Sequence, residues 1–135
     1  MKKNNLSFYK LGITFLLFIL SNVSPAFSEA LDSSYIFGIL MGYIIPAMLV
    51  IYSGFLAKDI FRTKRSSFIM GATFSIVGSS CVGIIFSQFY PSMVSAQINW
   101  KDPAFYIAGL IMLFIGGVLG LVGSYINGNL HKEAI

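Results

Sequence analysis

The chain has a single histidine, His131, and a single cysteine, Cys81. An imidazole can ligate haem or a metal and a thiolate can act as a nucleophile, so these two positions are where chemistry would start. Neither has the surroundings that chemistry needs. His131 lies in a polar C-terminal tail, and one copy of the chain cannot offer two intramembrane histidines to a haem. Cys81 sits inside an apolar stretch as a small packing residue without a disulfide partner in the chain. Ser79 and Ser80 share that stretch, but no histidine, lysine or carboxylate accompanies them, so a hydrolase would lack its base. No phosphate-binding loop, dinucleotide fingerprint, zinc spacing or lipid-attachment cysteine occurs, and the methionines form no metal-binding run. The sequence points away from an enzyme, and no cofactor or metal is expected.

The elements that would have to carry any site are membrane helices. Of the 135 residues, 56% are hydrophobic and 10% charged, and the mean hydropathy is +0.80, outside the range of soluble domains. The charges are gathered at Lys2, Lys3 and Lys10; Glu29 and Asp32; Lys58 to Arg65; Lys101 and Asp102; and Lys132 and Glu133. Between them, about 34–57, 67–90 and 104–126 are uncharged and long enough to cross a hydrocarbon core, which takes roughly 20 helical residues. No ionisable residue of the proton-relay or voltage-sensor kind falls inside these three spans, which argues against proton-coupled transport.

Residues 1–28 read as a signal peptide: basic Lys2, Lys3 and Lys10, a short apolar core Leu11–Leu20, then "SNVSPAFSEA" with small residues for cleavage after Ser28. Residues 29–135 would then form one membrane domain, an all-α bundle of three transmembrane helices. The alternative is an uncleaved first helix over about 11–28, giving four. Lys58, Arg62, Lys64 and Arg65 stand against Asp59 in one loop, whereas Lys101 is balanced by Asp102 in the opposite one. By the positive-inside rule the basic loop 58–66 and the C terminus face the cytoplasm and 91–103 faces outward, a pattern that fits a bacterial inner membrane. The basic loop is also where anionic headgroups would be attracted, although its topological role suffices to explain it. It is too short to bind nucleic acid.

Local signals mark the span ends. Asp32 or Ser33 is expected to cap the first span and Ser66 or Ser67 the second. Asp102 followed by Pro103 opens the third. Pro91 should stop the second span at Tyr90, and Gly128 in "NGN" should stop the third. Tyr35, Tyr90, Trp100 and Tyr106 are expected at the outer interface and Tyr52 and Tyr125 at the inner one, as anchors. The outer segment "PSMVSAQINWKDP" is too short for a folded domain and is expected to lie on the membrane surface or meet a partner.

Inside the spans the patterned feature is small residues. Gly71, Ser75, Ser79, Gly83 and Ser87 recur at every fourth position; Gly109, Gly116 and Gly123 are spaced by seven, with Gly120 between the last two; and Gly38 and Gly42 form a shorter pair. Lipid tails are as apolar as leucine, so membrane helices associate through close backbone approach, which small residues permit. These faces are expected to pack helix on helix. Pro46 frees the carbonyl of Gly42 and should bend the first span. The expected function is a small non-catalytic accessory or assembly subunit of a membrane complex, in contact with other membrane subunits or with itself. The rival is a homo-oligomeric channel or facilitator, without proton coupling, lined by Tyr43, Thr73, Ser80 and Gln88.

Overall fold

A computed structural model describes residues 2–28, 36, 39–89 and 101–133 of the chain. They form an all-α bundle of four helices, each apolar and long enough to cross a membrane. We label them α1 (Lys2–Ser28), α2 (Ile45–Phe61), α3 (Lys64–Phe89) and α4 (Pro103–Glu133); a π-helical turn, Leu40–Ile44, leads into α2. In the full chain residues 2–28 form one of the four, and cleavage after Ser28 would leave the other three; the helix does not stop where the apolar core gives out but continues through Pro25 to Ser28. Its membrane-length stretch is Asn5–Val23.

α1 is packed against the other helices. Phe18 is buried with Val50 and Phe74 in the hydrophobic core, flanked by Leu11, Phe15, Leu49, Met70 and Leu119. Phe15 and Phe18 meet Phe74 edge to face at 5.2 and 6.2 Å, Phe8 meets Phe61 at 6.2 Å, and the Ser21 hydroxyl donates to the Met41 carbonyl at 2.6 Å. Edge-to-face geometry sets the positive ring edge on the negative face of the next ring. These contacts run α1 antiparallel to α2 and parallel to α3.

The element boundaries depart from the expected ones in instructive ways. Pro46 lacks an N–H and its ring would strike the carbonyl one turn back. The chain widens the preceding turn to i→i+5 spacing, with the Ile45 N–H bonded to the Leu40 carbonyl, so the proline's effect appears as a π turn. α2 runs on to Phe61, past Lys58 and Asp59, because polar residues at the last turn can reach out of the apolar layer. Arg62 closes it in the left-handed conformation (φ 58°), its N–H on the Lys58 carbonyl at 2.8 Å. Thr63, not Ser66 or Ser67, caps α3: its hydroxyl accepts from the Ser66 N–H at 3.3 Å, since a two-residue turn starts the helix earlier. Asp102 caps α4 as expected, accepting from the Ala104 N–H at 2.9 Å. α4 does not end at Gly128, which stays helical with no positive φ; the helix continues to Glu133. The expected cap at Asp32 or Ser33, together with Tyr35, Gly38, Tyr90 and the outer segment 91–100, lies outside the described residues.

Candidate functional site

Among the described residues, helices approach most closely at a junction of small residues where α4 wedges between α2 and α3. Ser67, Gly71 and Ser75 give α3 one smooth edge, and Gly116 and Gly120 give α4 another. A Cβ placed on Gly71 would collide with the backbone of Gly116 and Gly120, and one placed on Gly116 with the Ser75 side chain and the Gly71 carbonyl. On the α2 side, Gly54 meets the Gly120 backbone and Gly123 meets the backbone of Ile51 and Phe55. Backbone against backbone on three helices leaves no room for side chains, which is the geometry that van der Waals association in lipid favours.

Hydrogen bonds lie along the same seam. Ser67, fully buried, donates from its hydroxyl to the Gly54 carbonyl at 2.8 Å, and Asn127 donates from Nδ2 to the Phe55 carbonyl at 3.2 Å. Such interhelical bonds are worth about 0.6 kcal/mol each on average in membranes, so packing outweighs them here. Ile51 with Gly123, Phe55 with Asn127 and Asp59 with His131 form one parallel register between α2 and α4. His131 therefore does not hang free in a tail: its Nε2 lies 3.9 Å from Asp59 Oδ1 at the helix end, still largely exposed. An exposed pair of this kind contributes at most about 1 kcal/mol.

The small-residue rows expected to pack are divided by depth. Gly71, Ser75, Gly116, Gly120 and Gly123 are buried in the junction; Ser79 and Gly42 are half-buried; Gly83 and Gly109 face open space, with nothing within 4 Å of an added Cβ. The side chain of Ser87 and all of Gly38 lie outside the described residues. Gly83 and Gly109 are near one another in level, because carrying the Ser75–Gly116 register outward brings Gly83 beside Ala108. Neither glycine has a neighbour in contact at that level. Along α4, every residue from Tyr106 to Met112 is exposed, so the helix is bare on all sides there.

As packing positions, sequence reasoning passed over Ser53, Gly54, Ala57, Gly78 and Gly117, and it took Ser67 for a helix cap. Ser53-x-x-x-Ala57 and Ser67-x-x-x-Gly71 were readable as small pairs, and Ser53, Ala57 and Ser67 are fully buried. Gly78 and Gly117 had no such signal, since each receives a ring from another helix, Phe18 and Phe68 respectively.

The residues expected to line a pore do not converge within one chain. Tyr43, Thr73, Ser80 and Gln88 are all exposed on the outside of the bundle. Thr73 and Ser80 donate to their own helix, to the Ile69 carbonyl at 2.7 Å and the Ile76 carbonyl at 2.8 Å. Cys81 is half-buried. Among the described residues no group of three His, Cys, Asp or Glu comes together.

The basic residues gather at one end. The start of α1, the α2–α3 turn and the end of α4 adjoin through Phe8–Phe61 and Asp59–His131. Lys2, Lys3, Lys10, Lys58, Arg62, Lys64, Arg65 and Lys132 therefore belong to that end, and Lys101, beside the start of α4, to the other. No family model, curated protein or solved structure matches the chain.

Proposed function

We propose that this protein is a non-catalytic accessory or assembly subunit of a membrane complex, held in a bacterial inner membrane with its basic end in the cytoplasm. The observation that carries the reading is the exposed stretch of α4 from Tyr106 to Met112, with Gly109 open at its centre and Gly83 open on α3 at a similar level. Glycine in a helix interior is about 1 kcal/mol less favourable than alanine, a penalty that close helix packing can offset. At the junction such packing comes from within the chain. At Gly109 and Gly83 another subunit's helix would supply it.

The charge distribution supports the orientation, since eight basic residues at one end against Lys101 at the other is the asymmetry that the positive-inside rule describes. With four spans retained, both ends of the bundle chain lie on the cytoplasmic side. The test is native purification of a C-terminally tagged protein with identification of everything that accompanies it. A stoichiometric unrelated membrane protein is expected, and Gly109→Leu should reduce its recovery while leaving the monomer folded. Recovery of this chain only, at one defined multiple, would sink the subunit reading in favour of the channel and call for flux assays in liposomes.

A further inference from the structure

We propose that the basic end of the bundle holds one anionic phospholipid, in a groove between the start of α3 and residues 118–125 of α4. The groove encloses about 380 Å³ and is lined by Lys64, Val118, Leu121, Val122, Ser124 and Tyr125. That volume falls at the lower end of ligand pockets, roughly 300–1,000 Å³. Val118, Leu121, Val122 and Tyr125 follow i, i+3, i+4, i+7 spacing, so they form one helical face, and each is open to the surrounding lipid. An acyl chain can lie along that face.

One edge of this apolar groove is bounded by a basic residue. Lys64 is the exposed first residue of α3, where the positive end of the helix dipole favours a phosphate. Lys58, Arg62 and Arg65 lie in or beside the neighbouring turn, four basic residues with Lys64 against the single carboxylate of Asp59. Positive charge therefore stays in excess at the mouth of an apolar groove, which is the complement of an anionic headgroup above an acyl chain. One further side chain fits the same occupant: Tyr125, exposed on the groove, carries an amphipathic ring of the kind that sits at headgroup level. A zwitterionic lipid would meet the same apolar wall without the charge match.

The experiment is native mass spectrometry of the full chain in detergent, titrated with dioleoyl phosphatidylglycerol or dioleoyl phosphatidylcholine. The expected result is one phosphatidylglycerol retained in preference to phosphatidylcholine. Lys64→Gln should weaken phosphatidylglycerol about fivefold, the effect of one basic residue near an anionic surface. Lys132→Gln, an equal charge loss outside the groove, should leave it near wild type. Val122→Trp, at an exposed position, should displace both lipids; Val118→Trp gives the same reading should the first variant fail to fold. Equal retention of the two lipids, equal damage by Lys64→Gln and Lys132→Gln, or undiminished binding in both tryptophan variants would each overturn the proposal.

Discussion

A side chain at position 71 or 120 would have to occupy space already held by the backbone of a neighbouring helix, whereas one at position 83 would project into open space. The three glycines look alike along the chain, but only the first two have a neighbour that cannot move aside. Gly71→Leu and Gly120→Leu are therefore expected to destabilise the bundle by about 3 kcal/mol or more, the upper part of the overpacking range, and Gly83→Leu to leave monomer stability unchanged. Thermal unfolding of the detergent-purified variants, followed by circular dichroism, checks this, and equal tolerance at all three positions would refute the junction. Ser79, on the same row, is half-buried and should fall between. The row itself was legible in residue types and spacing. Where along it the contact ends was not, because that depends on how far α3 and α4 diverge.

Between elements, the turn from α2 to α3 is the tightest connection described. Arg62 occupies the left-handed region, which costs an L-residue roughly 1–2 kcal/mol, and its place there is set by the N–H bond to Lys58 that closes α2. Arg62→Gly is expected to relieve this and leave stability equal or higher, while Arg62→Val should lower it by about 1 kcal/mol or more, because a β-branched side chain tolerates that region worst. The two variants remove the same charge, so the difference between their unfolding midpoints isolates the backbone effect. The sequence showed a basic loop at this place and a proline at position 46, but neither the left-handed arginine nor the π turn. Both are local backbone adjustments that residue types alone do not announce: Leu40–Ile44 takes the wider turn ahead of Pro46, with the Met41 carbonyl accepting from Ser21 and Val50 in the core.

At the scale of the whole molecule, α1 is a structural member of the bundle, since removing residues 1–28 would take Phe18 away from Gly78 and Phe74 and leave Leu49 and Met70 without their α1 neighbours. Peptide mapping of the purified protein is therefore expected to recover residues from within 2–28; their loss would restore the signal-peptide reading and a three-helix bundle. Composition and charge spacing determined that the chain is an all-α membrane protein, since uncharged stretches of about 20 residues can meet their backbone hydrogen bonds in lipid only as helices or closed barrels. They also marked Asp102 as a cap and Gly71, Gly116 and Gly120 as close-contact positions, because these properties belong to single residues and their near neighbours. What they could not decide was where residues 2–28 pack in the full chain, which glycines find a neighbour, and that His131 and Asp59 meet. Those outcomes rest on pairs of residues far apart in the chain, such as Phe18 with Phe74 or Phe55 with Asn127, whose contact exists only once the helices have chosen partners, and in lipid that choice is made by shape.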